Sequence, residues 1–185
     1  MKHEIVLSEK QIKTITKNIG TALTERLKNE KMPPVFLCVM KGALPFFFDV
    51  IKNVKLTMIC DFIQLSSYEK TASTGEVIIK KNFEADINGR SVVIIEDIVD
   101  TGLSMKFLIN YINKNYKPKQ VILVSLLDKQ CTRKVDVKVD YTGKVLTKSD
   151  FLMGYGLDYC EFDRNVPYVY IAQKEDVKYW DSLLK

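Results

Sequence analysis

The sequence predicts an α/β fold, doubly wound around a mainly parallel central sheet, with a small irregular β-rich portion. Three observations carry that prediction. The segments Val35 to Met40, Ser91 to Ile95 and Val121 to Leu127 are apolar almost throughout instead of alternating, as strands buried on both faces are. Stretches with helical spacing separate them, so strand and helix alternate as a parallel sheet covered on both faces requires. Residues 135 to 173 break that rhythm and are β-rich and irregular.

Each element follows from local chemistry. Ser8 followed by Gln11 forms a capping box, and Ile12, Ile15, Ile19, Leu23 and Leu27 then recur at helical spacing, predicting an amphipathic helix over about 9 to 29. Pro33-Pro34 ends that unit. The strand Val35 to Met40 leads to a helix from about Leu44 to Ile51, with Pro45 in its first turn. Leu56 to Gln64 reads as another strand. Ser66 to Gly75 (SSYEKTASTG) is polar and unpatterned, which predicts an exposed mobile loop. A turn at Asn88-Gly89 precedes the strand Ser91 to Ile95, a helix covers about Leu103 to Tyr116, and Pro118 precedes the strand Val121 to Leu127. The amphipathic segment Glu175 to Leu184 closes the chain as a helix.

Length and composition narrow the function classes. At 185 residues, the chain is expected to form a single domain over 1–185, and no repeat or Gly/Ser linker divides it. Apolar residues at 46% and charged residues at 28% exclude extensive disorder. The longest apolar run, Val35 to Met40, is far too short to span a bilayer, and the amino terminus carries no signal-peptide pattern, so neither membrane attachment nor export is expected. Cys38, Cys60, Cys131 and Cys160 form no CxxC pair and His3 is the sole histidine, which supports neither a zinc site nor a redox motif and points to the cytoplasm. One histidine also removes most serine and cysteine hydrolase schemes. The net charge of +5 suits phosphorylated ligands but is spread along the chain, so nucleic acid is not an expected partner.

The stretch VVIIEDIVDTGLS, residues 92 to 104, carries the chemistry. Ligands of an open parallel sheet bind beyond the carboxyl ends of its strands, which is where Glu96 to Ser104 should lie. Thr101-Gly102-Leu103-Ser104 turns from strand into helix, so its backbone N–H groups can converge on a phosphate. It is neither a Walker loop nor a Rossmann fingerprint, since both glycine patterns are absent. Glu96, Asp97 and Asp100 would repel that phosphate unless they contact hydroxyls, a metal ion or a developing positive charge. A ribose phosphate supplies the first, magnesium the second, and a glycosidic carbon ionising toward an oxocarbenium ion the third. The plainer alternative, acids that merely cap the next helix, accounts poorly for three of them followed by TGxS.

VVIIEDIVDTGLS closely resembles the phosphoribosyl diphosphate (PRPP) binding motif of the type I phosphoribosyltransferases. Over about residues 35 to 170 the chain resembles their hypoxanthine (hypoxanthine-guanine) phosphoribosyltransferase branch, through VFLCVMKGA, SSY, STGEV, SLLDK, GYGLDY and RNVPY. The resemblance implies the type I phosphoribosyltransferase fold, in which the β-rich portion is a hood over the base. It also implies magnesium-dependent transfer of phosphoribosyl from PRPP to a 6-oxopurine, and a homodimer or homotetramer.

The site roles implied by the resemblance are as follows. Glu96 and Asp97 hold the ribose hydroxyls and, with Asp158, the metal; Asp100 is the general base at purine N7; and Asp100 with Thr101, Gly102, Leu103 and Ser104 holds the 5′-phosphate. Lys41, Gly42 and Arg164 bind pyrophosphate, with a non-proline cis peptide between Lys41 and Gly42. Lys129 donates to the purine 6-oxo group, Phe151 stacks on the base, Leu152 lies at its edge and Asp158 completes the purine side. Ser67 and Tyr68 begin a mobile loop that closes over the site. Taken without the resemblance, Lys41 reads as a strand-end lysine, Lys129 as a solvated one, Phe151 as core, and Asp158 and Arg164 as members of surface ion pairs. Three departures stand out: Ser104 in place of threonine, Thr142 to Lys148 without the Gly-Phe-Glu-Ile-Pro-like run, and Asp163 in place of tyrosine beside Arg164. Two other functions share the pattern: a xanthine-preferring transferase and a nucleotide-sensing regulator. The apolar helix with Phe46-Phe47-Phe48 is either a contact face between subunits or core.

Overall fold

The computed structural model describes residues 3–68 and 76–184. The main sheet has six strands: β2 (Val35–Met40), β3 (Ile59–Tyr68), β4 (Glu76–Lys81), β5 (Ser91–Val99), β6 (Gln120–Lys129) and β7 (Tyr141–Leu146), in the order β4-β3-β2-β5-β6-β7. All neighbours are parallel except β3 and β4, which pair antiparallel. A second, antiparallel sheet joins β1 (Glu4–Leu7), β9 (Val169–Ile171) and β8 (Leu152–Met153) in the order β1-β9-β8. Of the expected β-rich portion, 135–173, it takes β8 and β9, whereas β7 of that stretch pairs with β6 in the main sheet, and it gains one further strand. Its outer strand β1 comes from the amino terminus, where the sequence offered only a four-residue segment too short to carry a pattern.

The helices cover both faces of the main sheet, as a doubly wound fold demands. Helix α1 (Glu9–Leu27) begins at the expected capping box, with Ser8 Oγ accepting from Gln11 N and the Gln11 side chain accepting from Ser8 N at 2.8 Å. It buries Ile12, Ile19, Leu23 and Leu27 with α2 (Leu44–Ile51) on one face of the sheet, against Phe36, Cys38, Val93, Ile95 and Val124. Helix α3 (Leu103–Asn115) covers the other face, packing Met105, Leu108 and Ile112 against Val35, Leu37, Val92, Ile94 and Leu123. Consecutive residues of β2 and β5 therefore enter opposite cores, which is why these strands are apolar throughout. Helix α4 (Lys174–Leu183) packs Trp180 against Met153 and Tyr170 of the small sheet.

Three strand ends near the crevice differ from expectation, and β3 starts at Ile59, not Leu56. Strand β5 does not end at Ile95 but pairs with β6 through Glu96, Ile98 and Val99, opposite Ser125, Leu127 and Asp128, so Glu96 and Asp97 lie within a strand. Likewise β6 runs on to Lys129, which pairs with Leu146 and is not beyond the strand. Ser66 to Tyr68 are strand, not loop: Ser66, Ser67 and Tyr68 pair with Ile78, Val77 and Glu76 of β4. The partner strand EVIIKK supplies the ladder that the polar sequence of β3 does not announce. The rest of the expected mobile loop, 69–75, lies outside the described residues.

The strand order sets the site. From β2 the chain moves outward to β3 and β4, whereas from β5 it moves the other way to β6 and β7. The carboxyl ends of β2 and β5 thus face the crevice at a topological switch point, where ligands of such sheets bind.

Candidate active site

Two turns meet at that crevice. After β2, the Met40–Lys41 peptide is cis and Lys41 to Ala43 turn into α2. The non-proline cis bond is present, but one residue earlier than the Lys41–Gly42 position implied by the resemblance. After β5, Asp100 to Gly102 turn into α3, and Gly102 takes φ 84° just before the helix starts at Leu103. A side chain at Gly102 would be strained, and its Cβ would lie 2.8 Å from Arg133 Cδ. Thr101 Oγ1 accepts from Leu103 N at 3.4 Å. Asp100, Thr101, Gly102 and Ser104 share with Glu96 a cavity of about 220 Å³, floored by Met40, Leu65 and Met105. Its wall is thus the strand-to-helix turn on one side and a carboxylate on the other.

Glu96 and Asp97 lie side by side in the buried part of β5. Burial pushes the Glu96 carboxyl well above the usual carboxylate range, and the adjacent Asp97 charge adds to the effect. Burial raises Asp97 as well, opposed in part by the neighbouring Glu96 carboxyl, by the Ile98 N–H, which donates to Oδ1 at 2.7 Å, and by the charge of Arg164. Glu96 Oε2 is sealed from solvent and has no hydrogen-bond partner among the described residues. A buried carboxylate oxygen without a partner costs free energy, and a hydroxyl or a hard cation would satisfy it. The turns touch here too. A Cβ on Gly42 would stand 1.8 Å from Asp97 Oδ2, so only glycine lets the β2 turn approach that carboxylate.

Asp100 is gripped from the β6 side. Thr132 Oγ1 donates to Asp100 Oδ1, and Lys129 Nζ lies 3.6 Å from Asp100 Oδ2 while donating to Asp150 O at 3.0 Å. Lys129 is therefore not a solvated strand-end lysine; it is 8% exposed and points into the site. Phe151, by contrast, is not core. Its ring is 47% exposed beside Asp150 and meets Tyr159 edge-to-face at 6.0 Å, while Leu152 is buried in β8. A large aromatic this exposed keeps its ring face free for contact.

Asp158 and Arg164 come together as an ion pair at 2.9 Å on the far rim. Arg164 Nη1 also donates to Gly156 O at 2.6 Å, and Arg164 Nε to Glu161 Oε2 at 3.1 Å. Lys41 Nζ reaches the other Glu161 oxygen at 3.1 Å. Asp163 accepts from Tyr170 Oη, so its departure from tyrosine leaves the Arg164 contacts intact. Among the described residues no three His, Cys, Asp or Glu side chains cluster closely enough to hold a metal alone. Glu96, Asp97 and Asp158 are hard-oxygen donors of the kind magnesium takes, Glu96 and Asp97 adjacent in β5 and Asp158 held apart on Arg164. The described parts of Ser67 and Tyr68 end β3 at the β4 edge.

Four residues were not anticipated. Asp128, 4% exposed, pairs with Arg133, whose guanidinium also donates to the carbonyls of Val99, Asp100 and Val137 at 3.1 to 3.2 Å. That fork ties the end of β5 to the segment after β6. Thr132 and Glu161 were missed too. An acid at the end of an otherwise apolar strand, Asp128 in SLLDK, was the one signal available, since a buried charge needs a partner.

Comparison with known proteins identifies the family. The model of the phosphoribosyl transferase domain matches residues 8–159. Over 173 residues the chain is 40% identical to the hypoxanthine-guanine phosphoribosyltransferase of Bacillus subtilis, covering 91% of this chain and 94% of that protein. The crystal structure of a hypoxanthine phosphoribosyltransferase from Staphylococcus aureus superposes with a TM-score of 0.86 at 38% identity, covering 93% of this chain and 92% of that one. The hypoxanthine phosphoribosyl transferase of Trypanosoma cruzi superposes with a TM-score of 0.88 at 27% identity, covering 97% and 95%. With its switch-point crevice, acid pair and anion turn, the chain belongs to the phosphoribosyltransferase family, in the branch of the hypoxanthine-guanine phosphoribosyltransferases.

Proposed function

We propose that this chain transfers the phosphoribosyl group of PRPP to N9 of hypoxanthine and guanine, forming IMP or GMP and releasing pyrophosphate, with magnesium as cofactor. The observation that carries the reading is the 3.6 Å approach of Lys129 Nζ to Asp100 Oδ2. N7 and the 6-oxo group lie on one edge of an oxopurine, so the groups that address them must be neighbours. Asp100 takes the N7 proton as the new bond forms at N9, and Lys129 donates to O6. The 6-amino group of adenine would instead direct its own donors at an ammonium.

The remaining residues fit around that edge. Phe151 stacks on the base with Leu152 and Asp158 at its rim. Thr101 to Ser104 hold the 5′-phosphate, and Glu96 and Asp97 hold ribose hydroxyls and face the carbon that becomes cationic. The unpartnered Glu96 oxygen supports this role. Lys41, Gly42 and Arg164 receive the leaving pyrophosphate. Glu96, Asp97 and Asp158 would hold magnesium together with substrate oxygens, and the ion would supply positive charge to the leaving group. We further propose that residues 1–185 act as one domain in the cytoplasm, in keeping with four free cysteines and with no helix, among the described residues, long and apolar enough to cross a membrane. Two or four copies assemble through the α2 face.

Competitive assays with PRPP, magnesium and each of hypoxanthine, guanine, xanthine and adenine test the reading. Turnover of hypoxanthine and guanine and none of adenine is expected. Asp100→Asn should lower kcat by roughly 10² to 10⁴ while leaving the KM for PRPP within a few-fold. Retained turnover removes Asp100 from the base role.

A further inference from the structure

Glu161 is absent from every role assigned so far, yet it holds both side chains proposed to receive pyrophosphate. One of its oxygens pairs with Lys41 at 3.1 Å and the other with Arg164 Nε at 3.1 Å, across 120 residues of sequence in the first case. Its placement is built into the backbone. Cys160, Glu161 and Asp163 all take positive φ, at 49°, 72° and 64°, a conformation that non-glycine residues adopt at a cost. The turn is held there by Glu161 N donating to Asp158 Oδ2 at 2.7 Å, by Phe162 N donating to Tyr159 O at 2.9 Å, and by Tyr159 Oη donating to Asp181 at 2.9 Å. Such a turn fixes which side chain faces the β2 turn.

We infer that Glu161 is the resident counter-ion of the pyrophosphate subsite: its carboxylate occupies Lys41 and Arg164 in the empty site and competes with the diphosphate group for them. The inference rests on the proposed placement of pyrophosphate at Lys41 and Arg164. The exposure of the pair suits exchange. Lys41 is 50% and Glu161 60% exposed, so their contact is worth little and is easily displaced by a multiply charged diphosphate. Once displaced, Glu161 cannot go far, because the pinned turn keeps its charge at the rim. Its repulsion then loosens the diphosphate, which weakens PRPP binding and speeds pyrophosphate release. Asp158 differs in kind: it pairs with Arg164 alone and accepts from the backbone of Glu161, so it orients the arginine without reaching Lys41.

The test compares the wild type with Glu161→Gln and Glu161→Ala by calorimetric titration of inorganic pyrophosphate with magnesium, and by pyrophosphate product inhibition. Competition predicts a change of a definite sign. Both variants should bind pyrophosphate about threefold more tightly, the KM for PRPP should fall by a similar factor, and the difference from wild type should shrink at high salt. A structural or positioning role predicts the opposite sign, since Lys41 and Arg164 would lose their anchor. Weaker or unchanged pyrophosphate binding in the variants, with normal binding by the wild type, overturns the inference alone. Absence of pyrophosphate binding by the wild type overturns the subsite assignment and the inference together.

Discussion

Glu96 shows what the site costs the fold at the level of one residue. Its carboxyl is raised by burial and by the neighbouring Asp97, and Oε2 has no partner among the described residues. The sign of the linkage follows. Between the ordinary carboxylate value and the higher folded value, the folded chain binds more protons than the unfolded chain, so stability falls as pH rises through that window. Glu96→Gln removes the cost of burying an ionisable carboxyl and should raise stability at pH 7 by about 1 kcal/mol, or about 2 to 4 °C in Tm. Melting curves at pH 7 and below pH 4 check this, because the gain should vanish where both states carry the proton. The same variant should bind PRPP less well, as expected of a residue kept for its ligand. Lys129 and Phe151 make the complementary point. Their residue types permitted bland readings, and 8% exposure for one and 47% for the other rule out a solvated lysine and a core phenylalanine.

The turn after β5 and the segment after β6 work as one element. Arg133 donates to the carbonyls of Val99 and Asp100, is neutralised by buried Asp128, and packs where Gly102 has no side chain. Lys134 N adds a bond to Thr101 O at 2.9 Å. Removing the guanidinium leaves Asp128 buried without its partner and the anion turn unbraced. Arg133→Ala should therefore cost about 3 kcal/mol, or about 6 to 12 °C in Tm, and raise the KM for PRPP about tenfold. Arg133→Lys should recover little of either, since a single ammonium cannot span three carbonyls and a carboxylate. Thermal melting beside PRPP saturation curves measures both. The TGxS turn was visible in sequence, whereas its brace lay thirty residues away in a stretch with no periodicity.

For the molecule as a whole, α2 links the site to the outer surface. Phe46 and Phe47 are fully buried against the sheet, so two of the three aromatics are core, while Phe48 is 50% exposed. If copies assemble through this face, Phe48→Asp should shift the sedimentation coefficient to that of a single chain at micromolar concentration without unfolding it, and an unchanged coefficient assigns the contact to another face. The same helix begins at the Lys41 turn, so the proposed assembly face and the proposed pyrophosphate subsite share a scaffold. By itself the sequence determined the α/β class, the buried strands, the helix caps and the acidic anion turn. All of these follow from local periodicity and from residue types that bond within a few positions. The tertiary structure alone decided that β1 joins the second sheet, that β5 carries its acids inside the ladder, and that Lys129, Thr132 and Arg133 converge on Asp100 while Glu161 reaches Lys41. Those pairings join residues 29 to 167 positions apart, and no local pattern encodes them: they arise when the crossover connections bring strand ends to one edge of the sheet.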